Sequence, residues 1–78
     1  MKFIKLPNRK AFDLFLIWYI EEVNNYQWYP VTVAGRVNIL NKDNEMIAYK
    51  CLDVVDGEYV ISCYVREKEY NMFLNKEV

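Results

Sequence analysis

The spacing of the apolar residues changes once along this 78-residue chain, at Pro30, and this change constrains the fold more than any other feature. Before Pro30, apolar side chains recur at i, i+3, i+4, i+7, i+8 and i+11, which places them on one face of a helix. They are Phe12, Phe15, Leu16, Tyr19, Ile20 and Val23. After Pro30, apolar and polar residues alternate, as in strands that bury one side. The sequence therefore predicts an α+β fold with one long N-terminal helix.

The predicted helix covers residues 8–25, with Asn8 as its N-cap. The segment 24–30 ends it, because asparagine tolerates left-handed geometry and Pro30 disfavours a helical conformation in the residue before it. Residues 1–6 precede the helix, and they either form a short edge strand or lie across the core.

The remainder of the chain predicts a three- to four-stranded antiparallel meander on which this helix packs. The strands are expected at residues 31–39, 46–55, 58–66 and 70–74. Gly35, inside the first of them, indicates a bulge or a close approach of the backbone.

The Asp56–Gly57 turn fixes a register, because a two-residue hairpin turn pairs Val55 with Glu58. The predicted core side of this hairpin is then Met46, Ala48, Leu52, Val54, Tyr59, Ile61, Cys63 and Val65, with Lys50 among them. The other side carries Cys51, Asp53, Val60 and Ser62, with Tyr49 opposite Tyr64. This register separates the two cysteines, so no disulfide is expected between them.

Length and composition indicate one domain, residues 1–78, with an aromatic-rich core: 54% of the residues are hydrophobic and 17% aromatic. A net charge of −1 gives no overall field for nucleic acid or for an anionic membrane. The longest apolar run, residues 14–20, is far shorter than the roughly 20 residues that span a bilayer. We expect a cytoplasmic protein with no membrane segment.

The residue types disfavour catalysis. The chain has no histidine, which removes the usual acid–base group near neutral pH and the histidine-dependent nucleophile pairs and metal sites. Its two cysteines match no zinc spacing, and no glycine-rich phosphate loop is present. Pairs of carboxylates occur, but a chain of this size leaves little wall for a substrate pocket of about 300 Å³. No cofactor, metal or enzymatic activity is expected.

The predicted helix is also apolar on its outer side, at Leu14, Ile17 and Trp18. Either the N-terminal segment or the 26–29 loop covers this side, or it meets another molecule. We expect a symmetric homodimer, with Lys10 close to Glu21 of the second copy if the two helices run antiparallel.

Aromatic residues in two further places are candidates for partner contacts. Tyr26, Trp28 and Tyr29 crowd the loop before Pro30, where they either cap the core or form an interface. The pair Tyr49 and Tyr64 is expected on the more solvated sheet face, where rings can also stack on single-stranded bases.

The N-terminal region is basic, with Lys2, Lys5, Arg9 and Lys10 preceding the first acidic residue. Beside a helix N-terminus such residues can hold phosphate, although a solvated flank has the same composition.

Together these features predict a small non-enzymatic binding protein, regulatory or inhibitory, that docks on another protein. Compact chains without catalytic groups are typical of phage and mobile-element accessory proteins. The alternative is a small nucleic-acid-binding domain that uses the basic start and the sheet aromatics, followed by a subunit of a larger assembly. The expected partner-binding residues are Leu14, Ile17, Trp18, Tyr26, Trp28, Tyr29, Tyr49 and Tyr64.

Overall fold

The computed structural model describes residues 2–27 and 29–76, with all their side chains except that of Tyr29. In chain order the elements are β1 (Phe3–Lys5), α1 (Arg9–Trp18), β2 (Tyr29–Val33), β3 (Arg36–Leu40), β4 (Met46–Val55), β5 (Glu58–Arg66) and α2 (Glu67–Leu74). A π-helical segment, Tyr19–Val23, continues α1 directly. The fold is α+β, with five antiparallel strands in the order β1-β5-β4-β3-β2.

The start and the end of the N-terminal helix follow from the asparagines that flank it. Asn8 is extended, and its side-chain oxygen accepts a hydrogen bond of 2.9 Å from the backbone N–H of Ala11, so the predicted N-cap is confirmed. After the π-helical segment, Asn25 and Tyr26 adopt positive φ angles of 50° and 62°, which turn the chain away from the helix. The helical part is therefore shorter than predicted and ends in a π-helical turn.

The predicted register of the β4–β5 hairpin is confirmed. Val55 pairs with Glu58 across the Asp56–Gly57 turn, and Tyr49 lies opposite Tyr64. Cys51 and Cys63 consequently project from opposite faces of the sheet, and both are free thiols. Of the two alternatives left open for residues 1–6, the structure shows the short edge strand: β1 pairs with the end of β5.

The predicted strand count is wrong, first because residues 31–39 form two strands rather than one. Ala34 and Gly35 both have positive φ angles, 50° and 78°, the geometry of a tight two-residue hairpin turn. The apolar alternation runs through this turn without a break and hides it. Since Val33 pairs with Arg36, the valines of β2 lie on the face opposite to Val37.

The second difference is at residues 70–74, which were predicted as a last strand and belong to α2. A segment this short fits the period of a strand as well as that of a helix, because its apolar residues are spaced both at i, i+2 and at i, i+3. Packing decides: Tyr70 and Phe73 lie 6.0 and 5.8 Å from the ring of Phe15 on α1, measured between ring centroids. The edge of β5 that a further strand would need at this end is occupied by β1.

Both helices pack on one side of the sheet, which we call the helix face. Its buried residues are Ile39, Ala48, Cys63 and Val65, and they meet Phe12, Phe15 and Tyr19 of the helix. The opposite side, the open face, carries Phe3, Lys5, Arg36, Asn38, Tyr49 and Tyr64 by strand register. No helix of the described residues packs on the open face.

The helix face is covered over only part of its length, so half of the predicted core side of the hairpin is exposed. Leu52, Val54, Tyr59 and Ile61 are 55%, 64%, 76% and 55% exposed; we call them the hairpin patch. The helix begins at Arg9, beside Leu52 and Ile61, and leaves the hairpin tip uncovered.

The prediction that Met46 lies on the core side of the hairpin is also wrong. A register shift between Ile39 and Leu40 buries Ile47 in place of Met46. The sulfur of Met46 lies 3.6 Å from a guanidinium nitrogen of Arg36, a residue of the open face.

Candidate functional site

The outer side of α1 retains two of its three predicted partner-binding residues at the surface. Leu14 and Ile17 are 52% and 55% exposed, and we call this pair the helix ridge. Trp18 is half-buried, because its ring packs against Phe73 of α2 at a centroid distance of 5.4 Å. The chain thus covers part of this side itself, with a helix that the sequence pattern did not predict.

A groove of about 360 Å³ runs along the helix ridge. It is lined by Leu14, Ile17, Trp18, Glu21, Glu22, Phe73 and Lys76. The ammonium group of Lys76 lies over the Phe73 ring, 4.1 Å from its centroid. Glu21 and Glu22 are exposed and form no ion pair within the described part of the chain. The groove therefore has an apolar floor and an acidic rim.

The aromatic pair of the open face is already stacked within the chain. The rings of Tyr49 and Tyr64 lie 4.7 Å apart at 18°, and the guanidinium of Arg36 sits 3.7 Å above Tyr49. Because β4 lies between β3 and β5, the Arg36 guanidinium and the Tyr64 ring approach Tyr49 from opposite sides. Phe3 adds a tilted contact at 5.3 Å. Both faces of the Tyr49 ring are consequently occupied.

The aromatic loop is only partly described. Tyr26 is 71% exposed, so it does not cap the core. Trp28 and the side chain of Tyr29 lie outside the described residues, although the backbone of Tyr29 begins β2.

The four basic N-terminal residues do not converge on one surface. Lys2 forms an ion pair of 3.3 Å with Glu67, and Arg9 one of 3.8 Å with Asp13. Lys5 pairs with Tyr64 in the sheet and belongs to the open face, whereas Lys10 is exposed on α1.

A buried polar cluster lies at the end of the sheet where the helix ends. Arg66 and Glu69 are 7% and 4% exposed and form a double hydrogen bond, which raises the pKa of the Arg66 guanidinium. Glu45 is 3.7 Å from Arg66. Asn41 accepts hydrogen bonds of 2.9 Å from the backbone N–H groups of Asp43 and Glu45. Asn41 also donates a hydrogen bond of 3.4 Å to the hydroxyl of Tyr19, so the cluster joins the β3–β4 loop and the start of α2 to the π-helical segment that follows α1, which is a structural role.

Three further observations complete the description. Among residues 2–27 and 29–76, no group of three cysteine, aspartate or glutamate residues is arranged to hold a metal ion. None of the helices within the described ranges has the length and hydropathy to cross a membrane. Comparisons with protein-family models, with curated proteins and with solved structures find no match for this chain.

Proposed function

We propose that this chain is a small non-enzymatic binding protein that docks on another protein, in a regulatory or inhibitory role, through the helix ridge. The observation that carries the proposal is the exposure of Leu14 and Ile17 above a groove floored by Trp18 and Phe73. Apolar side chains with an aromatic floor beside them are typical of the centre of a protein interface.

The energy available from this surface supports docking. Burying a whole leucine or isoleucine contributes about 1.5–3 kcal/mol. Leu14 and Ile17 are each a little over half exposed, so covering both would contribute roughly 2–3 kcal/mol in all. Contacts to Trp18 and Phe73 would add to this, since both rings are only half-buried.

The rim of the groove indicates the chemistry of the partner. Glu21 and Glu22 place two carboxylates along one side, and Lys76 is engaged over Phe73. An apolar segment flanked by lysine or arginine fits this arrangement, because its charges complement the rim and steer association.

A second copy of the chain is the other occupant to test at this ridge. Antiparallel packing of two α1 helices would bring Lys10 near Glu21 of the second copy, as the sequence predicted. Such a rim pair adds at most about 1 kcal/mol. Such a dimer offers Lys10 to the acidic rim of the other copy, whereas a basic foreign segment can place a cation opposite both Glu21 and Glu22, and we therefore favour the foreign segment.

The nucleic-acid alternative has less support from the geometry. Lys2 and Arg9 are in ion pairs, and the ring faces of Tyr49 are occupied. If the alternative holds, replacing Lys5, Arg9 and Lys10 with alanine reduces the slope of log affinity against log salt by roughly 2–3. Binding to single-stranded DNA that ignores salt, or that survives the triple replacement, excludes it.

The test of the proposal is capture from a lysate of the source cell, with and without nuclease, using three baits. The parent is compared with Ile17→Lys and with Val33→Lys, which adds the same charge at a position of similar exposure, 57%, on β2. We expect one protein to be retained after nuclease by the parent and by Val33→Lys and to be lost with Ile17→Lys. Equal retention by Ile17→Lys would exclude the ridge, and loss of every partner after nuclease would favour nucleic acid.

A further inference from the structure

The tip of the β4–β5 hairpin extends beyond the rest of the sheet as an arm of two strands. The pairing of β3 with β4 stops at Cys51, and on the other side the last backbone contact to β5 is the hydrogen bond from the N–H of Leu6 to the carbonyl of Cys63. Residues 52–61 therefore pair only with each other within the described part of the chain, and we call them the hairpin arm. A two-stranded hairpin is marginal in water unless its apolar side is covered.

The helix face of this arm carries the hairpin patch, which the chain itself leaves bare. All four side chains of the patch are more than half exposed. The helix α1 begins at the inner end of the patch, and its π-helical continuation reaches Asn41 at the other end of the sheet. The helix face is therefore a step, with a layer of helix over its inner part and bare sheet over the arm.

Charge is distributed unequally along this bare surface. The arm contains three carboxylates and neither lysine nor arginine; they are Asp53, Asp56 and Glu58. At its base, Arg9 and Lys50 line a cavity of about 110 Å³ beside the start of α1. Arg9 has an exposed ion pair with Asp13, whereas Lys50 is half-buried and forms no ion pair within the described residues. The surface therefore runs from an acidic tip to a basic base.

We propose that a second copy of this chain packs its hairpin arm face to face on this one, about a two-fold axis that crosses the strands near Val54 and Tyr59. The two arms stack antiparallel, at the spacing of about 10 Å that is usual for packed sheets. The two hairpin patches cover each other, and Tyr59 meets Tyr59 of the second copy near the axis. Each tip lies over the base of the other arm.

The step in the helix face is complementary in shape to itself. A helix is about 10–12 Å across and packed sheets lie about 10 Å apart, so the second arm occupies the same layer as α1 and continues the cover that α1 begins. The cavity at the base of the arm lies where the second tip meets the start of the helix. Because the contact uses the face of the sheet, β1 and Leu6 keep their positions at its edge.

The charges favour a second copy as the occupant. The two-fold axis brings the acidic tip of each copy to Lys50 and to the N-terminus of α1 in the other copy, where a carboxylate is stabilised. Asp56 lies in the turn itself, and we assign it to Lys50 of the second copy. A purely apolar partner would instead cover the ammonium group of Lys50 and leave it without a counter-charge.

This interface is separate from the helix ridge and does not depend on what docks there. The second arm lies beside the start of α1, whereas Leu14 and Ile17 are on the outer side of the helix, along a groove that extends to Phe73. The dimer leaves the ridges of both copies available, so one assembly presents two docking ridges.

Sedimentation equilibrium across micromolar to millimolar concentrations tests the contact between the patches. Val54→Lys brings two ammonium groups together at the axis, and we expect the dimer dissociation constant to rise roughly tenfold or more. Val33→Lys is the matched control, because Val33 is 57% exposed and Val54 64%, but Val33 lies on the open face. It should leave the constant within about twofold. Urea unfolding of both variants checks that each remains folded.

A double-mutant cycle tests the antiparallel direction of the arms. Asp56→Asn keeps a residue that this turn favours, and Lys50→Gln keeps most of the side chain. Each change removes two ion pairs from the dimer and should raise the dissociation constant roughly threefold to tenfold. The double variant should lose little more than either single variant, because the two residues share one interaction. Single effects that multiply in the double variant would overturn the stacking of tip on base.

Cross-linking gives a positive readout in the same protein. In a Cys51→Ser background, Val54→Cys places two thiols on either side of the axis, about 10 Å apart, which a short bifunctional maleimide can bridge. Val33→Cys in the same background places its thiol on the face turned away from the second copy. We expect a covalent dimer from Val54→Cys alone.

Two further results would overturn the proposal. One is a parent that stays monomeric throughout the concentration range and gives no Val54→Cys dimer. The other is a dimer that survives Val54→Lys but dissociates with Ile17→Lys, which would assign self-association to the helix ridge.

Discussion

Replacing Phe73 of α2 with alanine should destabilise the protein by about 2–3 kcal/mol. A fully buried phenylalanine costs about 3–5 kcal/mol when truncated to alanine, and Phe73 is only partly buried. Its ring lies 5.4 Å from Trp18 and 5.8 Å from both Phe15 and Tyr70, so the change removes three aromatic contacts at once. Urea unfolding followed by far-ultraviolet circular dichroism measures the loss as a lower midpoint with an unchanged slope.

The neighbouring residues provide the controls. Met72 and Leu74 are 44% and 61% exposed, so alanine at either position should cost less than about 1 kcal/mol. A strand over residues 70–74 would reverse this order, because Met72 and Leu74 would then share a face with Tyr70 and Phe73 would lie outside. A larger loss with Leu74→Ala than with Phe73→Ala would refute the packing of α2 on α1.

Three shorter predictions concern buried polar groups. Asn41→Ala leaves two backbone N–H groups without their acceptor and should lower the free energy of unfolding by about 1–3 kcal/mol in thermal or urea unfolding. Glu69→Gln leaves the buried guanidinium of Arg66 without its main charge partner and should cost more than about 2 kcal/mol by the same assays. Burial raises the pKa of the Cys63 thiol above its ordinary value near 9. The unfolded chain therefore loses this proton first, and the free energy of unfolding should fall as pH rises above about 9, less steeply in Cys63→Ala.

The parts of the fold that could be predicted are those where one local signal acts alone. Asn8 caps the helix by a bond within its own first turn, and the Asp56–Gly57 turn sets the register of the hairpin it closes. The turn at Ala34–Gly35 escaped prediction because apolar alternation continues across it, and only the pairing of β2 with β3 shows that the valines of β2 lie on the face opposite to Val37.

The exposure of the hairpin patch follows from the lengths of the helix and of strand β4. The fifteen residues from Arg9 to Val23 span about 22 Å at a helical rise, whereas the ten residues of β4 span about 33 Å. A helix of this length cannot cover the whole strand, so the hairpin patch is exposed. The periodicity of the hairpin does not contain this information, because it only distinguishes one face of the sheet from the other.

The helix ridge of the candidate site could be predicted from the sequence, but the groove beside it could not. Leu14 and Ile17 lie opposite the core stripe by helical spacing, and the structure leaves both exposed. The groove depends on Phe73, which reaches Trp18 from a helix that the sequence pattern assigned to a strand. The stacked Tyr49–Tyr64 pair followed from the register, but the position of Arg36 over Tyr49 required the strand order.

Site-specific photo-cross-linking in a lysate of the source cell tests the central claim most directly. A benzophenone side chain at position 17 reports what contacts the helix ridge, and the same group at position 33 serves as the exposed control. We predict that the probe at position 17 captures one protein other than this chain, that excess parent competes with the capture, and that Ile17→Lys does not compete. Capture of only a second copy of the chain from position 17, or identical products from both positions, would contradict docking through the helix ridge.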